Sequence, residues 1–477
     1  MNVAIVHYHL EAGGVTRVIE NTIQAFSRLP NSPNVAVLSG REYKGEVLER
    51  VAKVEGLDYS SRKDSPDPSI LRERLETAAK KVLGKPPDLW HIHNHSLGKN
   101  PALPHTLKQL AQNGYALLLH IHDFAEDGRP ENYLALKDAR HCLYPLGSKI
   151  GYALLNKRDL GFIKDAFGCN QLVRLLPNSI APPRPADHQN VSKGNIPGNL
   201  NLYPVRAVRR KNLGELALLA ASYPERHFAN SLGPTNPTFK KTYDRWEYFS
   251  EAKKLPLTFG LNQKIGLPFH QLVNASQTLI TTSVAEGFGM GFLEPWTFGK
   301  SVIGRNLPEV TSDFSGMGVD LSHLYHRLEL PKSLVNDQNA LDSLILASLK
   351  NQYTAYRMDL PADACSRARN AIERNGCIDF GRLNEGMQEE IICAAKDSQE
   401  IADDVRSQAG LCTLPNRTIK DNALAVEKNF SDENYVKRLL RIYEKLVASK
   451  KSSTEFADGK KVLKKFLRPE RLNLLRD

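Results

Sequence analysis

The sequence has few of the features that mark secreted, membrane-spanning or zinc-knuckle proteins. Its 477 residues include six cysteines and no C-x-x-C pair, which argues against a disulfide framework and a zinc knuckle. No stretch approaches the roughly 18 consecutive apolar residues of a membrane-spanning helix. The first residues, MNVAIVHYHLEAGG, lack the basic segment of a secretory signal. We therefore expect a cytoplasmic location.

The composition is that of an ordinary globular protein, with 41% hydrophobic and 25% charged residues. Lys and Arg number 64 against 53 Asp and Glu, a formal net charge of +11. This modest excess favours phosphorylated or nucleotide ligands. No aromatic residues are interleaved with the basic stretches, and we expect no nucleic-acid partner. A nucleic-acid binder would show steeply salt-dependent affinity.

Short apolar runs alternate with helix-like segments through the first part of the chain. They lie at residues 3–7, 35–38, 88–93, 116–122, 150–155 and 172–176. The pattern restarts after a proline-rich segment, with runs at residues 200–205, 278–283 and 301–304. Alternating strands and helices indicate parallel sheets covered by helices on both faces. We predict an α/β fold of two doubly wound, Rossmann-like domains, residues 1–180 and 200–430, joined by a linker, 181–199, and facing a ligand-binding cleft.

The last third of the sequence has a helical pattern. Residues 432–447 carry apolar side chains at helical spacing, and residues 460–477 hold seven Lys or Arg against two Asp or Glu. We predict that residues 431–477 form helices that pack back across the domains. Contact of the basic tail with an anionic membrane surface is an alternative. Residues 311–420 match no motif, and the sequence does not predict an oligomeric state.

A glycine-rich segment follows one predicted strand of the second domain. The strand ends at Ser283, and the turn after it reads EGFGMG, residues 286–291. Glycines let backbone N–H groups approach a ligand closely, and the N-terminus of the helix predicted at 292–298 favours phosphate. Glu286 can accept hydrogen bonds from sugar hydroxyls, and Glu294 can hold a ribose diol.

Two further segments place residues suited to phosphate at strand ends. Arg206 and Lys211 lie five residues apart where a strand passes into a helix, and two cations there suit a diphosphate leaving group. Gly13 and Gly14 follow the first strand, although the complete G-x-G-x-x-G fingerprint is absent.

Together these segments resemble the retaining GT-B glycosyltransferases, in particular family 4, the glycosyl transferases group 1. The carboxylate pair of that family, E-x7-E after a strand, matches Glu286 and Glu294. Its Arg and Lys match Arg206 and Lys211, and its amino-terminal Gly-Gly loop matches residues 13–14. The segment LLPNSI at 175–180 is similar to the family's I-P-N-G run. The resemblance covers residues 1–310, with departures at Val205 and Pro295, where the family has Gly and Ala.

The resemblance implies a GT-B fold and a retaining, metal-independent transfer of a hexose from a nucleotide-diphosphate sugar to an acceptor hydroxyl. The donor would bind in the C-terminal domain and the acceptor in the N-terminal one, without a cofactor. The implied catalytic residues are Arg206, Lys211, Glu286 and His122, the last as a contact to the donor sugar. The implied donor contacts are Gly13, Gly14, Glu286, Gly287, Phe288, Gly289, Met290 and Glu294.

Other residues and other functions stay open at this point. The polar segment at 124–133 follows His122, and loops at such strand ends often carry function, so it offers acceptor-binding candidates: Glu126, Asp127, Arg129 and Asn132. His91, His93 and His95 alternate along a strand, as in some metal sites. The domain pattern argues against a metalloenzyme barrel, and we expect no metal.

Three alternative functions also remain. They are a catalytically silent GT-B subunit that regulates a partner or binds glycans, a GT-B-shaped epimerase and a phosphorylase. The acceptor could be a small molecule, a glycan or a lipid.

Overall fold

The computed structural model describes residues 1–61, 63–168, 170–183 and 196–473. Most of the predicted linker, 181–199, lies outside the described residues. The chain divides into two compact units. The first comprises the described residues of 1–181, 352–358 and 430–468, and the second comprises those of 182–351, 359–429 and the end of the chain. The C-terminal helices therefore belong mainly to the first unit.

The first unit is built on a seven-stranded parallel sheet with strand order β3-β2-β1-β4-β5-β7-β8. Its strands are β1 Asn2–His7, β2 Asn34–Ser39, β3 Val51–Lys53, β4 Leu89–His93, β5 Ala116–Ile121, β7 Ile150–Leu154 and β8 Leu172–Leu175. The central strand β5 reads ALLLHI and is buried along its whole length. Such continuous apolar runs are typical of parallel strands covered on both faces.

Seven helices belong to this unit: α1 Gly14–Phe26, α2 Pro68–Leu83, α3 Ala102–Gln112, α4 Pro130–Ala135, α5 Lys157–Phe167, α17 Asp432–Ala448 and α18 Gly459–Phe466. Helices α1 and α17 share one hydrophobic core with the sheet. A two-residue antiparallel pair, β6 Pro145–Leu146 with β17 Glu455–Phe456, holds the chain between α17 and α18.

Helix α17 occurs where the sequence pattern predicts it. Ser431 caps its N-terminus by accepting a hydrogen bond from the N–H of Asn434, which satisfies one of the unpaired donors of the first turn. Its buried stripe includes Tyr443 and Leu446. A Cβ atom built on Gly151 of β7 would lie 3.1 Å from the Leu446 side chain. The absence of a side chain at Gly151 thus lets the helix pack close to the strand.

The basic tail also packs against the first unit. Val462, Leu463 and Phe466 of α18 are buried, and the Phe466 ring lies 4.8 Å from that of Phe124 and 5.2 Å from that of Phe162, centroid to centroid. These apolar side chains are therefore used within the protein. The fold gives no support to membrane contact through this helix.

The second unit has a five-stranded parallel sheet with strand order β11-β10-β9-β12-β13. Its strands are β9 Leu200–Arg206, β10 His227–Leu232, β11 Leu257–Thr258, β12 Thr278–Thr281 and β13 Val302–Gly304. The helices in this part of the chain are α6 Leu213–Ser222, α7 Lys240–Ala252, α8 Leu261–Ile265, α9 Phe269–Ala275, α10 Glu294–Thr297 and α11 Pro308–Ser315. Both units are therefore Rossmann-like, and the predicted fold class is confirmed.

The segment at 311–420 is mainly helical, as the pattern of the last third of the sequence indicates, and it also contains short strands that the sequence did not indicate. Five helices lie in it or begin in it: α12 Gln338–Ala355, α13 Ala364–Ile372, α14 Glu385–Asp397, α15 Gln399–Ala409 and α16 Asn416–Phe430. Between them lies a small antiparallel sheet of β14 Glu329–Pro331, β15 Glu373–Arg374 and β16 Cys377–Asp379. These strands are too short to show an alternating pattern.

A buried ionic cluster ties this segment to the large sheet of the second unit. The Arg305 guanidinium donates to both carboxylate oxygens of Glu215, at 2.8 and 2.7 Å, and to Oδ1 of Asp379, at 2.9 Å. Burial acts to raise the pKa of Asp379, but the guanidinium groups of Arg305 and Arg327 outweigh it, and the pKa is lowered. Tyr325 completes the cluster by donating to Glu215 at 2.7 Å.

Candidate functional site

Lys211 and Glu286 form the centre of a polar site in the second unit. Strands β9 and β12 are neighbours in a parallel sheet, so the loops after them emerge at the same edge. Thr282 ties these loops together, because its hydroxyl donates to the backbone oxygen of Lys211 at 2.9 Å. The Lys211 ammonium donates to Oε1 of Glu286. The sequence assigns Lys211 to the diphosphate and Glu286 to sugar hydroxyls, and the structure pairs these two side chains directly.

Other groups hold Glu286 as an ionised acceptor. The Ser283 hydroxyl donates to Oε1 at 2.6 Å, and the Tyr203 hydroxyl lies 2.6 Å from Ser283 Oγ. The Arg210 guanidinium is 4.0 Å from Oε2. Burial acts to raise the pKa of Glu286, but Lys211 and Arg210 outweigh it and lower the pKa. An ionised carboxylate only accepts hydrogen bonds, which suits contact with hydroxyl groups.

The remaining cations of this loop differ in their partners. Arg209 forms two hydrogen bonds with Glu385, at 3.1 and 3.2 Å, and so has a structural partner. Arg206 and Arg210 are exposed, and among the described residues no ion pair joins Arg206 to an acid. Arg206 therefore does not contact Glu286 here, and its assignment to a diphosphate stays a prediction.

The glycine-rich turn has a definite shape around Gly289. This residue has a φ of +88°, and a Cβ atom there would lie 3.1 Å from both the Phe292 and Val310 side chains, so both backbone and packing require glycine. Phe288 is buried, with its ring 5.6 Å from that of Phe314. The Phe288 ring therefore packs inside the protein and holds the turn in place, and it is not presented to a ligand.

The helix predicted for residues 292–298 is shorter than expected. Glu294 begins an α-helix of four residues that ends at Thr297, after a 3-10 turn from Met290 to Phe292. Pro295 and the glycines on either side limit its length. So short a helix has a weak dipole, and phosphate binding here would depend on the basic loop instead. Contacts from Gly287, Met290 and Glu294 to a donor stay predictions.

The Gly-Gly loop in the first unit is open. Gly13 is the N-cap of α1 in extended backbone with a φ of −176°, and a Cβ atom on Gly14 would meet no atom within 4 Å. Neither backbone strain nor packing among the described residues therefore requires glycine at position 14. Close approach of a ligand would require it.

His122 lies at the end of β5 among buried polar groups. Its Nε2 is 2.9 Å from Nδ1 of His93, and its backbone N–H donates to Oδ1 of Asn94 at 2.7 Å. Burial lowers the pKa of His122 to about 4, so the imidazole is neutral at physiological pH. Its other nitrogen, Nδ1, is the one that a sugar hydroxyl could contact.

His91 and His93, which alternate in the sequence, are buried polar residues with hydrogen-bond partners inside the protein. Both are buried in a group with His120. His91 Nδ1 lies 2.7 Å from the Tyr443 hydroxyl, and His91 Nε2 lies 3.2 Å from His120 Nδ1. Burial, with repulsion from His122, lowers the pKa of His91 to about 3. Alternation puts these side chains on one face of the sheet, and helix α17 covers that face.

The structure corrects one acceptor assignment and leaves three as predictions. Glu126 has no exposed surface, and its Oε1 accepts a hydrogen bond from the Tyr144 hydroxyl at 2.8 Å. It therefore cannot contact an acceptor from this position. Arg129 is partly exposed and donates to Asp123 at 2.6 Å. Asp127 is exposed and Asn132 half-buried, so these three side chains can be reached by a ligand.

Comparison with known proteins bears on the fold and on the class of enzyme. No family model matches the chain. Mannosylglucosyl-3-phosphoglycerate synthase from Petrotoga mobilis is 27% identical over 343 residues, covering 66% of this chain and 67% of that protein. Sucrose-phosphate synthase from Thermosynechococcus elongatus superimposes with a TM-score of 0.53 at 15% identity, covering 94% and 99% of the two chains. The catalytic domain of starch synthase IV from Arabidopsis thaliana gives a TM-score of 0.51 at 11% identity, covering 94% and 99%.

The chain is a glycosyltransferase of the GT-B fold. The resemblance to GT-B glycosyltransferases is thereby confirmed, and retention of configuration stays a prediction. Within this glycosyltransferase, the sequence predicted Lys211 and Glu286 but missed Ser283 and Tyr203, which orient the carboxylate. Ser283 stands three residues before Glu286 at the end of a predicted strand, and this position could have identified it as a partner of the carboxylate.

Among the described residues, no helix is both long enough and apolar enough to cross a membrane.

Proposed function

We propose that this glycosyltransferase transfers a hexose from a nucleotide-diphosphate sugar to an acceptor hydroxyl, with retention of the anomeric configuration and without a metal at the diphosphate. The observation that carries the proposal is the Lys211–Glu286 pair, supported by Ser283, with exposed Arg210 at 4.0 Å from Glu286 and exposed Arg206 at the end of the preceding strand. The site offers both a carboxylate for sugar hydroxyls and cations for phosphate.

The local charge balance supports a donor with two phosphates. Two cations, from Arg210 and Lys211, lie at the carboxylate of Glu286, and Arg206 ends the strand that leads into their loop. A sugar diphosphate ester carries about two negative charges, and a third develops as the sugar–oxygen bond breaks. Fixed cations that neutralise developing charge stabilise the transition state. Lys211, which pairs with Glu286 in this structure, would then be shared with the diphosphate.

The state of Glu286 is consistent with binding rather than proton transfer. Its lowered pKa keeps it ionised, so it has no proton to donate to a leaving group. The family resemblance implies that the acceptor attacks from the face that the leaving group vacates. In the first unit, neutral His122 would contact a substrate hydroxyl through Nδ1.

The name of the Petrotoga relative guides the choice of substrates. It describes a product that contains mannose, glucose and 3-phosphoglycerate. We propose that the acceptor of this chain is a small anionic compound of the same type, a glycoside of a phosphorylated hydroxy acid. The excess of basic residues in the chain is compatible with such an acceptor.

The test is a matrix of mannose and glucose donors carrying UDP, GDP or ADP against glucosyl-3-phosphoglycerate, 3-phosphoglycerate and neutral glucosides. We expect transfer with one donor, unchanged by EDTA, and a product whose anomeric NMR coupling matches that of the donor. Inversion of configuration would contradict the retaining mechanism, and loss of activity in EDTA that Mg²⁺ or Mn²⁺ restores would contradict metal independence at the diphosphate. Nucleotide binding with no transfer in any combination would support the catalytically silent subunit instead.

A further inference from the structure

We propose that His91, His93 and His120 form a buried site for a first-row transition-metal dication, for which Zn²⁺ is the natural probe. The three residues lie on the adjacent strands β4 and β5, and one nitrogen from each lies within 4.8 Å of the others. The site is in the first unit, separate in sequence from the basic loop proposed for the diphosphate. It departs from the expectation that the chain binds no metal.

The donor set determines the class of metal. Three imidazoles with no carboxylate or carbonyl ligand suit Zn²⁺, Cu²⁺ or Ni²⁺, whereas Mg²⁺ and Ca²⁺ prefer oxygen. Three histidines with an open fourth position are an established zinc arrangement. In this chain water could take the fourth position, because His122 is already the outer partner of His93.

The distances are close to those of a metal site. Tetrahedral zinc with Zn–N bonds of about 2.0–2.1 Å places its ligand nitrogens roughly 3.3 Å apart. The Nε2 atom of His91 and the Nδ1 atom of His120 are already 3.2 Å apart. An ion equidistant from three nitrogens at the 4.8 Å upper limit would lie about 2.8 Å from each. Small rotations of the His93 and His120 rings would close the remaining gap.

Two of the three ligands already have outer partners. Metal-bound histidines usually donate the other ring N–H to a neighbouring group, which fixes the tautomer. The Tyr443 hydroxyl lies 2.7 Å from His91 Nδ1, and His122 lies 2.9 Å from His93 Nδ1. When both Nδ1 atoms carry the proton, the Nε2 atoms of His91 and His93 present lone pairs to the metal.

The third ligand supplies an independent observation. His120 has no exposed surface, and its Nε2 atom has no hydrogen-bond partner among the described residues. A buried polar atom left unpaired is unfavourable and calls for an explanation. Metal binding gives one if the His120 ring turns Nε2 to the ion, in which case Nδ1 carries the proton.

Two further imidazoles lie near the cluster. His7 on β1 has its ring 6.2 Å from that of His93, and the partly exposed His9 has its ring 5.8 Å from that of His7. The group of histidines therefore extends from the buried cluster to a partly exposed position.

The test uses the full chain, freed of metal with a chelator and then titrated with Zn²⁺ and Co²⁺. We expect one ion per chain after gel filtration, an intense visible Co²⁺ spectrum typical of tetrahedral nitrogen ligation, and a zinc absorption-edge spectrum that fits three imidazoles. His120→Gln should weaken Zn²⁺ binding by at least 10–100-fold. The exposed His141→Gln variant serves as the control and should bind as the wild type does.

Several results would overturn the proposal. Retention of Zn²⁺ by a triple variant of His91, His93 and His120 would mean adventitious surface binding. An oxygen-only or single-imidazole shell in the wild type would do the same, and that measurement remains decisive if the variants fail to fold. No Zn²⁺ uptake would mean that the cluster is a hydrogen-bonded imidazole chain. None of these readouts depends on glycosyl transfer, so they are independent of the proposed function.

Discussion

The raised pKa of the buried acid Glu126 predicts how the stability of the protein depends on pH. Its side chain has no exposed surface, and burial raises the pKa of its carboxyl to about 7, although the hydrogen bond from Tyr144 acts in the opposite direction. In the unfolded chain the pKa returns to its ordinary value of 4.5. Between these values the folded protein holds a proton that the unfolded chain has lost.

The sign and size of the effect follow from this difference. Because the folded state binds the extra proton, stability falls as pH rises from 4.5 towards 7 and then levels off. Each pKa unit is worth about 1.4 kcal/mol, so the loss is about 3 kcal/mol. The Glu126→Gln variant cannot ionise and should lack this loss. The amide also changes the hydrogen bonding, which shifts the free energy of unfolding by the same amount at every pH. This constant shift does not affect the comparison of how the free energy of unfolding changes with pH in the two proteins.

The assay is urea unfolding of the wild type and Glu126→Gln at several pH values from 5 to 8. We expect the variant to gain about 2.5 kcal/mol relative to the wild type across this range, since part of the total loss occurs below pH 5. Glu131→Gln, at an exposed acid on α4, is the control and should show no such gain. A relative gain below about 1 kcal/mol would refute the reasoning, and so would an increased acceptor KM in the variant at full folding.

The remaining predictions concern both units. Lys211→Met should lower kcat/KM by about 10²-fold or more, because Glu286 and the diphosphate lose their shared cation; steady-state kinetics with saturating acceptor measure this, and unchanged kinetics would exclude the assignment. Gly14→Ala should leave the melting temperature unchanged but raise the substrate KM, since a Cβ atom there meets only the ligand space. Arg305→Leu should destabilise the second unit by roughly 3–5 kcal/mol in urea unfolding, because it leaves Glu215 buried without its cation. Calorimetry should show that added salt weakens binding of the nucleoside diphosphate, whereas binding of the free nucleoside stays constant.

The sequence predicted the parts of this molecule in which local pattern and position agree. Strands such as β1 and β5 are continuous apolar runs between turn residues, and parallel sheets bring the ends of their strands together. That geometry is why Lys211 and Glu286, 75 residues apart, could be assigned to one site.

The features that the sequence did not predict share a different physical cause. Burial of a polar side chain depends on distant partners that a local pattern does not contain. Glu126 stands in a charged segment that reads as a solvated loop, yet Tyr144 and the surrounding core enclose it. Arg305 finds its acids 90 and 74 residues away. The same holds for His91, whose partner Tyr443 is 352 residues further along the chain.

The pKa shifts of these buried groups favour the charged form in the second unit and the neutral form in the first. This difference affects which ligands each unit can bind. In the second unit, cations lower the pKa values of Glu286 and Asp379, so these acids stay charged. In the first, burial lowers the pKa of His122 and raises that of Glu126, so both tend towards the neutral form. A charged, cation-lined site suits the phosphates of a donor, because the groups that meet the developing charge are already ionised and in place. Neutral imidazoles instead exchange hydrogen bonds with uncharged sugar hydroxyls. The assignment of the nucleotide to the second unit thus has support in electrostatics that is independent of its glycine-rich motif.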